Sequence, residues 1–256
     1  MTVTVRRLLA VVCWLFVGHL ALGGLYWLLL NVPESNVLAL GTSGLLVLLI
    51  VIGLGIVDVT GLAWLQPDRS FRAALGRSLR LLPVFVIALV LWWAINWIAG
   101  AIELRYEART GEITAWFIAK FNWTRTNWVH RLIPLLINGF RYVLGVSIVV
   151  SLLAAATMDG VGAIFRPRWL MRALSPVSLV IITVSIAALI WLPWQYVYWR
   201  PAAIPANVVE VLFNGIKLGA IGLLAHLGWA LVLWAPQRHN TTNASAAGDS
   251  RSATVT

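Results

Sequence analysis

Six stretches of this chain run apolar for about 20 residues or more: Leu8 to Leu30, Val37 to Leu65, Leu81 to Ala101, Leu132 to Thr157, Leu174 to Leu192 and Val208 to Trp234. A hydrocarbon layer roughly 30 Å thick asks this length of a helix that crosses it. None of the runs alternates apolar and polar residues, so a transmembrane β-barrel is excluded. Hydrophobic residues make up 61% of the chain and charged residues 11%, where a soluble domain carries roughly 45–50% apolar residues. The expected fold is therefore all-α, a polytopic six-helix transmembrane bundle. It is read as one transmembrane domain over residues 1–236, followed by a polar tail, 237–256, whose Ser, Thr, Asn and Ala content reads as disordered.

The arginines orient the bundle. One set of boundaries carries Arg6 and Arg7, then Arg69, Arg72, Arg77 and Arg80, then Arg166, Arg168 and Arg172, then Arg238. The positive-inside rule places these boundaries and both termini in the cytoplasm of a cell whose plasma (inner) membrane holds the chain. The arginines at 69, 72, 77, 80, 166, 168 and 172 are then inner-surface contacts for anionic lipid headgroups. Net charge is +10, but the basic residues are dispersed along membrane boundaries, which argues against nucleic acid as a partner. Partner subunits in a membrane complex are the other expected company.

Two of the basic boundaries share an outline. Asp58 and Asp159 are each followed by Gly, an aromatic and then Pro-x-x-x-x-Arg-Ala, at Pro67 to Ala73 and at Pro167 to Ala173. Because both join spans running in the same sense, a duplication would be a parallel repeat. The plainer explanation is that aromatic, Pro and Arg recur at any such boundary. The opposite side carries a long segment, 102–131, whose Ile113, Trp116, Phe117 and Phe121 fall on one side at helical spacing, as in an amphipathic helix lying in the outer interface. Cys13 stands alone, so cysteine supplies no disulfide or metal cluster. Arg6 and Arg7 before an apolar run look like a signal sequence, but the run is long enough to span and reads as a retained anchor.

Charges that persist inside apolar helices cost roughly 2.5–3.5 kcal/mol each on insertion scales, so they usually face a partner or a cavity. Glu210, Asn214 and Lys217 form one stripe on the last span, and Asn138 and Arg141 form another on the fourth. Asn96, Glu103 and His19 are further members of a polar pocket expected in the outer half. Around it lie Trp92, Trp93 and Trp97 on one side, and Trp191, Trp194, Tyr196, Tyr198 and Trp199 on another. Of these, Trp97, Trp191, Trp194 and Trp199 fit an interfacial aromatic belt. Read as structure, the stripes are interhelical glue; read as function, Lys217 and Arg141 hold the headgroup of an anionic amphiphile whose apolar part meets the tryptophans. Asp58 and Asp159, at inner helix ends, are expected to pair with elbow arginines; the sharper reading is a proton or cation relay.

Catalytic constellations are sparse. The four histidines, His19, His130, His226 and His239, are scattered, and no His, Asp or Glu cluster has metal-ligand spacing. No cofactor or metal is expected, and an enzyme is not. Gly41-Thr42-Ser43-Gly44 and Ala225-His226-Leu227-Gly228 resemble the serine and general-base segments of rhomboid intramembrane proteases. That resemblance implies a Ser43/His226 dyad. It covers only these two strings, and in that family the serine lies on the fourth helix, whereas Ser43 opens the second. The expectation is a membrane protein that binds or moves a lipid or other amphiphile, alone or within a complex. The alternative is a ligand-free structural or assembly subunit, with an intramembrane hydrolase a distant third.

Overall fold

The computed structural model describes residues 5–33, 36–66, 69–121, 127–199 and 208–237, with the side chains of 127–130 excepted. The described residues are helical and contain no strand. The elements are α1 (Val5–Leu30), α2 (Val37–Trp64), α3 (Phe71–Arg80), α4 (Leu82–Phe121), α5 (Asn127–Asn138), a π-helical stretch Gly139–Leu144, α6 (Gly145–Asp159), a 3-10 turn Val161–Phe165, α7 (Arg168–Ala173), α8 (Pro176–Val184), a second π-helical stretch Ser185–Trp191, α9 (Leu192–Gln195) and α10 (Val208–Trp234). Six helical spans are long and apolar enough to cross a membrane: Val5–Leu30, Val37–Trp64, Leu82–Phe121, Arg131–Asp159, Pro176–Gln195 and Val208–Gln237. The chain thus reads as a multi-pass membrane protein. The tail beyond Gln237 lies outside the described residues.

Local chemistry sets several of the boundaries. Asn36 caps α2, its Oδ1 accepting from the Ala39 amide at 2.8 Å, and the Ser70 hydroxyl caps α3 by accepting from the Ala73 amide at 3.3 Å. Pro176 opens α8, where a missing N–H costs nothing. Gly160 ends α6 at φ 85°, a conformation that a side chain would strain.

The bundle is tied most firmly at the end that carries α3 and α7, here called the elbow end. Arg7 donates to the Gln66 carbonyl at 2.7 Å and to the Arg69 carbonyl at 3.2 Å. Gln66 reaches the Thr157 hydroxyl at 3.0 Å. Arg77 donates to the carbonyls of Ala156 and Met158 at the end of α6, and Gln237 to Leu62 at 2.9 Å. Beneath these bonds lies the core: Val11, Leu15, Val59, Leu62, Val84, Val150, Leu152, Val232 and Leu233 are all buried. Toward the far end packing loosens, and Val37, Leu38, Leu40, Val208, Leu212 and Ile216 are exposed. In a bilayer such side chains meet acyl chains or another protein.

Glycines record the same gradient. At Gly55 an added Cβ would sit 2.7 Å from Phe85, and at Gly228 it would sit 2.9 Å from Leu189 and 3.1 Å from the Ser185 carbonyl oxygen. At Gly41 and Gly44 nothing lies within 4 Å. Close approach therefore happens at the elbow end and in the middle of the bundle.

The segment expected as a loop, 102–131, differs in its first part. α4 continues without a break to Phe121, 40 residues in all, or about 60 Å at 1.5 Å per residue, twice the hydrocarbon thickness. Residues 102–121 are mostly good helix formers with no proline, so the apolar span has no signal to stop at Ala101. Trp116, Phe117 and Phe121 do gather on one side, with ring centroids 5.0–5.8 Å apart. Both elbows hold a short basic helix, but Arg72 and Ala73 open α3 whereas Arg172 and Ala173 close α7. The shared string is thus placed differently in the two.

Gly228→Ala should lower thermal stability in detergent by about 1–3 kcal/mol through overpacking against a backbone carbonyl. Gly41→Ala, with open space around it, should be neutral or slightly stabilising in the same melt.

Candidate functional site

The two polar stripes have separate local partners. Lys217 donates to the carbonyls of Val197 and Trp199 at 2.7 and 2.8 Å and lies 5.6 Å from the Phe213 ring centroid. It thereby closes the carbonyl end of the fifth span. Arg141 pairs with Glu103 at 3.0 Å and lies over the Tyr142 ring at 5.9 Å. Asn96 donates to the Trp92 carbonyl of its own helix at 2.8 Å. Glu210 and Asn214 are half-buried on α10, and Asn138 is exposed. Trp97, Trp191, Trp194 and Trp199 are all exposed, with the Trp199 and Phe213 rings tilted to one another and 6.2 Å apart, centroid to centroid.

A different group of polar residues meets in the interior. Asp58 of α2 has its Oδ1 3.5 Å from His19 Nε2 of α1 and accepts from the Trp229 indole N–H of α10 at 2.9 Å. The His226 ring, one turn before Trp229, lies 5.1 Å from the His19 ring, centroid to centroid, and meets the Phe16 edge at 5.4 Å. Counted from the elbow end, His19 is 12 residues past Arg7, Asp58 is 8 before Gln66 and His226 is 11 before Gln237. At 1.5 Å per residue these depths are about 18, 12 and 16 Å, near the middle of a hydrocarbon core.

The sequence expectation for Asp159 matches its position, 4.0 Å from Arg172. Asp58 instead turns inward, away from the elbow arginines, and His19 joins it and not a far-end pocket. The signal that could have found them was equal depth from the basic boundaries. Ser43 and His226 are not brought together: Ser43 is fifteen residues up α2 from Asp58, about 22 Å along the helix, while His226 lines a cavity with Asp58.

Three cavities surround this frame. The smallest, about 230 Å³, is lined by His19, Asp58, Ile190, Ala225, His226 and Trp229. Asp58, Ile190 and Trp229 also line a second, of about 450 Å³, whose other walls are apolar: Phe85, Ala88, Leu89 and Trp92 of α4, Val146, Val150 and Leu153 of α6, and Leu233 of α10 among them. The π-helical stretches supply Tyr142, Ile186 and Ile190 to its wall; such distortions often occur at functional sites.

The third cavity, about 560 Å³, opens at the elbow end between α3 and the start of the turn after α6. Arg69, Arg77, Arg80, Leu81, Gly160 and Val161 are in its lining. Arg69 Nη1 and Arg77 Nε are buried with no hydrogen-bond partner among the described residues. Burial, and then the Arg77 guanidinium, push the Arg69 pKa below its ordinary value, as expected where cations crowd. Arg72, Arg166 and Arg168 are exposed, and Arg172 is half-buried. This basic cleft and the apolar cavity lie on one flank: Leu81 precedes Phe85 by one turn of α4, and Leu153 precedes Gly160 by two turns of α6.

Among the described residues no group of three or more His, Cys, Asp or Glu side chains is arranged to hold a metal ion. Trp229→Phe should cost about 1–3 kcal/mol of thermal stability, because it removes a donor from a buried carboxylate. Trp93→Phe, at an exposed position, should cost little in the same measurement. No protein-family model, curated protein or solved structure matches this chain.

Proposed function

We propose that this protein binds, and in doing so shelters or moves, an amphiphile with an anionic head. The head occupies the arginine cleft and the apolar tail runs along the α4–α6 flank into the 450 Å³ cavity. The observation that carries this reading is the stacking of the two: buried guanidinium nitrogens lacking a hydrogen-bond partner among the described residues sit one to two helical turns from an apolar cavity. A charged nitrogen buried without a partner is costly, and a phosphate or carboxylate supplies the missing acceptors. Lys217, half of the head-binding pair expected from sequence, already has two carbonyl partners; Arg141 pairs with Glu103, though its Nε also lacks a hydrogen-bond partner among the described residues, and it is the gathering of several arginines around one cavity that favours the elbow end for the head.

In the same reading the elbow end and both termini face the cytoplasm of a plasma (inner) membrane, where anionic lipid is the available ligand. The helix end around Trp116, Phe117 and Phe121 rests at the opposite interface. The alternative, an assembly subunit without a ligand, is favoured by the open Gly41 and Gly44 and the exposed residues beside them, which suit a second protein.

Native mass spectrometry tests the ligand. Wild type should retain phosphatidylglycerol in preference to phosphatidylcholine, and Arg69→Gln with Arg80→Gln should weaken that retention about tenfold or more, as loss of charge-assisted bonds implies. Ala88→Trp, which fills the apolar cavity, should weaken retention of both lipids. Equal retention by all variants would sink the proposal and leave the assembly reading. For orientation, a reporter enzyme active only in the cytoplasm, fused after Gln237, should be active; an inactive fusion of a stably inserted protein would invert the topology.

A further inference from the structure

The geometry of the interior cluster assigns a further site, independent of the amphiphile reading. We infer that His19 and Asp58 form a proton-binding site within the membrane span, occupied by one proton as an imidazolium–carboxylate pair.

The argument begins with the histidine nitrogens. His19 Nδ1 lies 2.9 Å from the Leu15 carbonyl oxygen, and His226 Nδ1 lies 2.6 Å from that of Gly222. A carbonyl oxygen only accepts, so in both rings Nδ1 carries a hydrogen and donates it. If His19 were neutral, Nε2 would then hold a lone pair, and this atom is 3.5 Å from Asp58 Oδ1. Two electron-rich atoms would face each other in an interior that screens them poorly. A proton on one of them turns the repulsion into attraction.

Asp58 decides which atom holds it. Oδ1, the oxygen facing His19, also accepts the Trp229 N–H at 2.9 Å. A donor at a carboxyl oxygen favours the charged carboxylate over the acid. The proton therefore belongs on His19 Nε2. Binding is the simple step in which the Nε2 lone pair takes a proton and the pair becomes neutral overall. Release returns the lone pair to Nε2 and leaves Asp58 as an uncompensated anion held by Trp229.

Among the described residues around the pair, His226 is a second nitrogen able to take that proton. The groups around the pair are His226 from α10, across the 230 Å³ cavity, and Tyr142, which lines the larger cavity with Asp58. The fifth span contributes Ile186 and Ile190, and α4 contributes apolar side chains and Trp92. Lys217 lies nine residues before His226, about 13 Å along α10, and is bound elsewhere. With Nδ1 committed to Gly222, the remaining His226 nitrogen is Nε2, the atom of that ring able to take a proton leaving His19, and the two rings lie 5.1 Å apart, centroid to centroid. An uncompensated buried charge is what makes such sites functional in membrane proteins. The same Asp58 and Trp229 form part of the apolar cavity, so the proton sits in contact with the space proposed for the tail.

Nitrogen NMR of the full-length protein in lipid nanodiscs, with labelled histidine, tests the assignment. At neutral pH His19 should show both ring nitrogens protonated, its signals among those of the four histidines being identified by their loss in His19→Gln. In Asp58→Asn one protonated nitrogen of His19 should be lost, because the amide supplies a donor and no compensating charge. One unprotonated nitrogen on His19 in the wild type overturns the assignment, as does an Asp58→Asn spectrum unchanged at His19. If Asp58→Asn does not insert stably, the wild-type spectrum decides alone. A result against the proton site leaves lipid retention untouched, and loss of the lipid result leaves these spectra untouched.

Discussion

The structure depends on a set of long polar side chains that bond to the ends of neighbouring helices. Inside hydrocarbon, helices gain little by hiding apolar surface from one another, because lipid is as apolar as leucine. What is expensive there is a helix end with unsatisfied carbonyls. Arg7, Arg77 and Gln237 each cross to carbonyls of another segment, and Gln66 crosses to Thr157. α1, α2, α3, α6 and α10 are thereby held at one level. Once the ends are level, small residues can meet large ones in register: Gly61 against Leu15, Gly55 against Phe85, Gly228 against Leu189.

Everything further along the helices inherits that register. Packing is dense within a few turns of the polar bonds and thins beyond them, which is why buried residues of α1 and α2 concentrate toward the elbow end. The apolar cavity opens among α2, α4, α6, the fifth span and α10, which all contribute to its lining. The π-helical stretches at Gly139–Leu144 and Ser185–Trp191 adjust the facing of the fourth and fifth spans just where they border the cavity. The positions of His19, Asp58 and His226 follow from the same register, since each is at a fixed number of turns from a tethered end.

Function, on this view, is arranged in depth. A cationic surface cleft lies at the elbow end, with an apolar cavity and the half-buried His19–Asp58 pair further in, and Asp58 with Trp229 lines both the apolar cavity and the smaller one beside the histidines. A ligand with an anionic head and an apolar tail matches the first two layers. The inferred proton of the third would lie beside the cavity proposed for the tail.

The sequence by itself determined the number of spans, the placement of charge at their ends and the fact that buried polar residues had to find company, because length, hydropathy and the cost of a charge in hydrocarbon are properties of single segments. Even so, α4 runs on to Phe121 where a loop was expected: the charges after Ala101 suit water, but nothing there breaks a helix. Tertiary structure alone decided which polar residues met. From sequence Lys217 belonged to a stripe with Glu210 and Asn214, and Asp58 to an elbow boundary; Lys217 found two backbone carbonyls near the end of the fifth span, and Asp58 found His19 and Trp229. That choice rests on the rotation and register of α1, α2 and α10 against one another, and those are fixed by contacts among residues 43 and 171 positions apart, such as Trp14 with Val57 and Asp58 with Trp229, which no local pattern encodes.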